Sequence, residues 1–276
     1  MPKDPLRHDY GQINRSYGMQ MATTPAEDDG PIWMVNLMRY HDVAQYGDGE
    51  PSDAAPVSGR EADDRYAPVD VLRAIGAEVV LFGDVDTQLL GDSPRWDRVG
   101  VVRYPTRRAF IEMQQRPDFQ AKHVHKAAGM AETIVMGCRP VGALPDGVDE
   151  SAYPDWRTVP HPPTPEDGPV VVVHVIKYSE ERAAEMGTYQ DAAFKVAGPH
   201  GARIGGWFDV EGTIIGDGRA WDQVRFNVFP SKAAFMAVAM DPARLQAQRA
   251  HREPAIADTY ALVVRAGINR LPDPTR

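Results

Sequence analysis

The chain has little of what builds a covalent or metal scaffold. Of 276 residues only one, Cys138, is a cysteine. A lone thiol excludes an intramolecular disulfide and any Cys-rich zinc or iron–sulfur site. It also predicts a reducing, cytoplasmic setting. Long apolar runs are missing: the longest, Val170 to Ile176, is interrupted by His174 and is far too short to span a bilayer, so no membrane partner is expected. The opening MPKDPLRHDY lacks the apolar core of a secretory signal, so none is expected. Basic clusters are missing as well. With 30 Lys and Arg against 39 Asp and Glu, the formal net charge is −9. Nucleic acids are bound through clustered cations, so they are not expected as partners. There is no phosphate-binding glycine loop, nucleophile elbow, zinc signature or dinucleotide fingerprint. Kinases, common hydrolases and nicotinamide enzymes are thereby disfavoured. These patterns call for no cofactor and no metal.

What is present is an ordinary globular composition, 43% hydrophobic and 25% charged, in a chain long enough for two domains. Residues 1–30 are polar and aperiodic and read as an N-terminal arm with one short helix. Residues 143–167 form a Pro-rich linker that includes Val159-Pro-His-Pro-Pro-Thr-Pro. Proline at that density blocks both helix and ladder pairing. Two blocks remain, 31–142 and 168–272.

The blocks repeat each other. Gly76-Ala77 through Asp84-Val85 aligns with Gly201-Ala202 through Asp209-Val210, and Trp96-Asp97 with Trp221-Asp222. After one inserted residue, Gln120-Ala121 matches Gln246-Ala247 and His125-Lys126 matches His251-Arg252. A series in constant register marks a tandem duplication. Within each block, Ile32 to Met38 and Val170 to Ile176 read as first strands. Helices follow near Glu61 to Ile75 and Glu180 to Val196. Second strands, 78–83 and 203–210, are joined by short acidic turns to third strands, 87–90 and 213–215. Gly212 to Gly218 reads as a hairpin turn. Fourth strands run 99–104 and 224–229. The next helices start behind Thr106 and Ser231 as N-caps. Last strands lie near 134–138 and 262–265. The βαββαβ order is ferredoxin-like. A four-stranded sheet with helices on one face must cover the other, and a second copy does so. The expected fold class is therefore α+β: two tandem ferredoxin-like βαββαβ domains forming an intramolecular dimeric α+β barrel, a pseudo-dimer.

The segments Pro31-Ile-Trp-Met-Val-Asn-Leu-Met-Arg-Tyr, Ser58-Gly-Arg-Glu, Trp96-Asp-Arg-Val, Val102-Arg-Tyr-Pro and Ala109-Phe-Ile-Glu-Met resemble domain-of-unknown-function family 1330, of the dimeric α+β barrel superfamily. The resemblance covers most of residues 31–140 and weakens over 168–270, where His174 replaces the first-strand Asn and Asn227-Val-Phe-Pro replaces Val102-Arg-Tyr-Pro. It implies the fold and a ligand pocket between the open sheet face and the helices or partner sheet. The superfamily is said to include cofactor-free monooxygenases, lactone isomerases, polyketide cyclases and haem enzymes, so the resemblance locates a site without choosing a reaction.

Polar residues inside apolar strands are the candidate site. Asn36 and His174 hold matched places in the two first strands, and His174 shares a face with Val172 and Ile176. A histidine there is either a general acid/base or a core residue satisfied by a carbonyl. Arg103 can grip a carboxylate or enolate, or snorkel from the sheet edge. Its second-repeat equivalent is Val228, with Arg225 and Asn227 earlier in the strand. Asp97 and Asp222 follow tryptophans and serve either as acids or as turn caps. Tyr66 and Tyr189, in the first helices, and Trp207 line the core or a pocket wall. Gly205-Gly206 beside Trp207 signals a bulge or a close ligand approach. His123 and His125 are two apart on a helix and make a poor metal pair. His161 and His200 read as solvated.

Expected catalytic residues are thus His174, Arg103 and Asp222, with Asn36, Asn227, Arg225, Trp207 and Tyr66 binding ligand. The expected function is a cofactor-independent enzyme acting on a small, partly apolar organic molecule by acid/base chemistry: isomerisation, cyclisation, elimination or cofactor-free oxygenation. The alternatives are a non-catalytic small-molecule binder and a haem protein with His174 or His251 as axial ligand. A monomeric pseudo-dimer and a homodimer are both compatible with the repeat.

Overall fold

A computed structural model describes residues 10–47, 55–142, 153–180 and 184–271. Residues 1–9 of the expected arm, 143–152 of the expected linker, 181–183 of the expected helix and the last residue of the second block lie outside them. The described arm holds a short strand β1 (Gln12–Ile13) and helix α1 (Arg15–Thr23). The first repeat follows as β2 (Ile32–Tyr40), α2 (Gly59–Tyr66), α3 (Val69–Ala74), β3 (Glu78–Leu90), β4 (Arg98–Tyr104), α4 (Arg107–Met113), α5 (Pro117–Gly129) and β5 (Met130–Pro140). The second runs β6 (Val170–Tyr178), α6 (Glu185–Ala197), β7 (Arg203–Gly216), β8 (Gln223–Phe229), α7 (Lys232–Ala239), α8 (Pro242–Ala247), α9 (Glu253–Ala255) and β9 (Ile256–Asn269). Strands pair in the order β1-β7-β5-β2-β4-β3-β9-β6-β8, with β7 also on β8. Each repeat keeps the ferredoxin-like order within this ladder, and the fold class is α+β.

Local chemistry accounts for most boundaries. Ser58 caps α2 with a full capping box: its Oγ accepts from Glu61 N at 3.2 Å, and the Glu61 carboxylate accepts from Ser58 N at 2.7 Å. Thr106 and Ser231 are the N-caps of α4 and α7, each hydroxyl accepting from a backbone N–H at 3.0 Å. The expected helix over 61–75 is broken between α2 and α3 by Pro68, which has no N–H to donate and restricts the residue before it. The linker, where described, has no helix or strand, yet Trp156 Nε1 donates to Gly201 O at 2.8 Å and Val159 is buried.

The expected acidic turns after residues 83 and 210 are not there. β3 continues through Asp84 and Asp86 to Leu90, and β7 through Glu211 and Gly212 to Gly216. Strand pairing overrides the turn signal. Gly83 runs so close to β9 that a Cβ would stand 2.5 Å from Arg265 O and 2.6 Å from Ala266 Cα. Asp86 accepts from Lys232 Nζ at 2.5 Å, so its charge is answered within the strand. The expected bulge at Gly205-Gly206 is present: the β7–β8 register shifts between Ile204 and Gly206, and Gly206 has φ +147°.

The chain divides into two compact units. The first includes the chain up to Phe82, Ser93–Arg139 and Val210–Ala220; the second includes Gly83–Asp92, Pro140–Asp209 and the chain from Trp221. In the first, the helix-facing residues of β2 (Ile32, Met34, Met38, Tyr40) join Val71, Leu72, Phe110, Met113 and Phe119 in one apolar cluster. A buried ion pair lies in the same unit. Arg107 Nε donates to Glu211 Oε1 at 2.7 Å, its Nη2 reaches Oε2, and Tyr17 Oη donates to Oε1 at 3.1 Å.

The second unit is built differently. Its helix-facing core consists of two separate clusters. Val170 and Val172 of β6 belong to one, with Phe235 and Val238. Ile176 belongs to the other, with Met186, Tyr189 and Ala255. Between Val172 and Ile176, on the same strand face, stands His174.

Candidate functional site

Ladder register fixes which side chains flank His174. It is the Cα partner of Arg225 on β8 and of Ala261 on β9, and Arg225 is in turn the partner of Trp207 on β7. Directly opposed residues share a sheet face. Trp207, Arg225 and His174 therefore form one row on the helix side of the sheet. The equivalent row of the first unit contains Asn36 and Gly100. There the space is closed: Phe82 and Met38 approach the Cβ position of Gly100 to 3.4 and 3.3 Å.

Arg225 is buried and held by neutral groups. Its guanidinium carbon lies 4.0 Å from the centroid of the Trp207 ring. Nε donates to Gln223 Oε1 at 2.5 Å and Nη2 to Tyr178 Oη at 2.8 Å. With the Gln190 amide turned so that both groups are satisfied, its oxygen accepts from Nη1 and Nη2 at 2.8 and 2.7 Å. Asn227 Oδ1 accepts from Trp207 Nε1 at 3.1 Å and fixes the indole.

Two further arginines converge from the helices. Arg252 and Arg244 each place the guanidinium carbon 6.0 Å from the Tyr189 ring centroid. Arg244 Nη1 donates to Ala239 O at 2.9 Å. Arg252 is only 4% exposed, and its Nε and Nη2 are buried without a hydrogen-bond partner among the described residues. None of Arg225, Arg244 and Arg252 has an ion-pair partner among the described residues.

This environment sets the charge of His174. Burial pushes its imidazole well below the ordinary 6.5, and Arg252, Arg225 and Arg244 push it the same way. The ring is neutral at pH 7. Burial also lowers Arg225 and Arg252 from their ordinary value.

Of the residues expected at the site, the fold brings together His174, Arg225, Trp207 and Asn227. Asp222 commits its carboxylate to a backbone amide and a side-chain cation, accepting from Tyr178 N at 2.7 Å and from Lys177 Nζ at 2.9 Å. Asp97 does the same for Tyr40 N at 2.8 Å, as a turn-capping residue shared by both repeats does. Arg103, Asn36 and Tyr66 belong to the first unit. Arg103 lies 5.6 Å from the Trp33 ring, and Asn36 Nδ2 donates to Met34 O at 3.0 Å. Tyr66 stands edge-on to Phe119 and His123, with Lys126 Nζ 5.3 Å from its ring. His251 places Nδ1 3.6 Å from Glu185 Oε2.

Arg244, Arg252, Gln190 and Tyr178 were not expected. The sequence held one signal for Arg252: its match with Lys126, a cation kept at the same helical place in both repeats. Among the described residues, no group of three or more His, Cys, Asp and Glu is placed to hold a metal ion, and no helix is long and apolar enough to cross a membrane.

No family model and no curated protein matches the chain. Among solved structures it is similar to a protein of unknown function from Rhodopseudomonas palustris, at 26% identity and TM-score 0.41, over 49% of this chain and 98% of that one. An anthrone oxidase-like protein is similar at 13% identity and TM-score 0.45, over 89% of this chain and 97% of that one. A chlorite dismutase variant from Candidatus Nitrospira defluvii is similar at 10% identity and TM-score 0.48, over 90% and 95%.

Proposed function

We propose that the chain is a cofactor-independent acid/base enzyme for a small, partly apolar organic molecule, bound in the second unit on the helix side of its sheet. It is a tandem member of the family 1330 type. The observation that supports this reading is a neutral imidazole faced by three arginines that have no ion-pair partner among the described residues. A neutral His174 accepts a proton from carbon next to a carbonyl or from a hydroxyl. The arginines stabilise the oxyanion or enolate that this proton transfer leaves behind. Arg225, fixed by neutral acceptors, is pre-organised for that task and takes the polarising role first expected of Arg103 and Asn36. The chemistry available is isomerisation, cyclisation, elimination or oxygenation of the enolate.

The test follows carbon acidity rather than one product. A panel of small keto and aryl acids is incubated with enzyme in deuterated water, and exchange at the carbon next to the carbonyl is read by NMR. His174→Gln is expected to slow enzyme-dependent exchange by about 10²–10⁴-fold. Exchange that persists at the wild-type rate in this variant removes His174 as the base.

A second reading, a non-catalytic binding protein, is favoured by one specific observation. The His174 ring has no hydrogen-bond partner among the described residues to fix its tautomer, as a catalytic histidine usually has. Under that reading the panel binds and no exchange is catalysed.

A further inference from the structure

The burial of Arg252 coincides with an irregularity in its helix. Pro242–Ala255 is one residue longer than the matching Pro117–Gly129, and Gln248–Arg252 within it winds as a π turn. A π turn takes up one additional residue inside the helix, so the side chains beyond it keep the places of their first-repeat counterparts, Arg252 beside Tyr189 as Lys126 is beside Tyr66. The residue at the end of this turn is Arg252, buried beside Tyr189 and close enough to His174 to be the foremost charge acting on it.

Of its donors, Nε and Nη2 are the two without a partner among the described residues. These atoms share one edge of the guanidinium, and their N–H bonds point the same way. That edge is the fork that grips two oxygens of a carboxylate in plane. Leaving both donors buried and unbonded is costly, so a ligand that supplies two coplanar acceptors gains from the match. The neighbouring cation offers no second fork, since all three nitrogens of Arg225 donate to Gln223, Tyr178 and Gln190. One planar two-oxygen group fits this arrangement better than a tetrahedral phosphate. Tyr189 lies beside Arg252 and Trp207 beside Arg225, and neither arginine has an ion-pair partner among the described residues.

We propose that the ligand is a planar carboxylic acid whose carboxylate docks on the Nε–Nη2 edge of Arg252, with its flat remainder held between His174 and the Trp207–Arg225 pair. This rests on the reading that the helix side of the second unit's sheet binds a small organic molecule. The carboxylate is the handle, and a hydroxyl or a C–H next to a separate carbonyl on the ligand is what His174 addresses.

The test uses the full chain and three probes: sodium benzoate, its neutral isostere benzamide, and inorganic phosphate. Binding is measured by isothermal calorimetry and by thermal shift. Benzoate is expected to bind and raise Tm, while benzamide and phosphate bind at least tenfold more weakly. Arg252→Lys keeps the charge and loses the fork, and is expected to weaken benzoate by roughly ten- to a hundredfold. Equal binding of benzoate and benzamide, preference for phosphate, or unchanged benzoate affinity in the variant each overturns the proposal. If Arg252→Lys does not fold, the benzoate–benzamide comparison on the unmodified chain still decides. The two readings fail separately. Loss of the carboxylate preference with His174-dependent exchange intact sinks the dock alone, whereas a dock that holds while His174→Gln exchanges normally sinks the acid/base role alone.

Discussion

His174 and Arg225 are direct cross-strand partners on β6 and β8, so a neutral imidazole and a guanidinium share one row of a buried sheet face. Two groups that both favour protons are placed where only one of them is charged. The arrangement fixes the sign of the pH response. The unfolded chain protonates His174 near its ordinary 6.5, whereas the folded chain resists protonation until well below that. Stability from this residue is therefore intact above about pH 6.5 and declines as pH falls, by up to about 1.4 kcal/mol per pH unit. Urea unfolding from pH 7.5 to 5 checks it, and His174→Gln is expected to flatten that slope.

An anion bound among the arginines offsets the charges that depress His174. Ligand binding is thus expected to raise its pKa, and by linkage benzoate binds more tightly as pH drops from 7 to 5. Calorimetry across that range measures the effect. Affinity independent of pH means that the ligand and the imidazole do not sense each other.

The Arg107–Glu211 pair of the first unit predicts a different signature. Arg107 is 5% exposed, and Glu211 also accepts from Tyr17. Arg107→Ala removes the buried cation and leaves the carboxylate only the exposed Arg139, whose Nε lies 3.3 Å away, and is expected to cost about 3 kcal/mol in urea unfolding. The hydrogen bonds from Arg107 hold the Glu211 carboxyl below its ordinary 4.5. Its stabilisation is present above that value and is lost as pH falls through the depressed one. A loss below about 0.5 kcal/mol would show the pair to be solvated.

Gly59 and Gly129 mark a close approach of α2 and α5. A Cβ on Gly59 would lie 2.3 Å from Gly129 O and 2.6 Å from His41 O, both backbone atoms that do not yield easily. Gly59→Ala is expected to lower stability by about 2 kcal/mol or more, read as a drop in Tm. An unchanged Tm would mean that the two segments separate at little cost.

Much of this fold was legible because duplicated sequence repeats its own punctuation. Thr106 and Ser231 sit at matched helix starts, and alternation along β6 put His174 on the face of Val172 and Ile176. The long strands were hidden by Asp84 and Asp86, whose side chains suggest a turn when seen alone but are answered in the fold by distant residues such as Lys232. The carboxylate of Asp222 looked catalytic beside Trp221, yet its bonds are those of a backbone cap. Arg244 and Arg252 were illegible as site residues, since cations on a helix ordinarily face water. The register of β6, β7 and β8 places His174 beside Arg225, and both helix cations act on that imidazole.

The extra residue in Pro242–Ala255 also bears on how a duplicated chain diverges. A π turn swallows an added amino acid inside the helix, so the side chains beyond it keep their aim. Arg252 still faces Tyr189 as Lys126 faces Tyr66, although its copy is the longer one. Length is thus absorbed locally, and the two copies differ in what stands at matched places, Arg252 against Lys126 and His174 against Asn36.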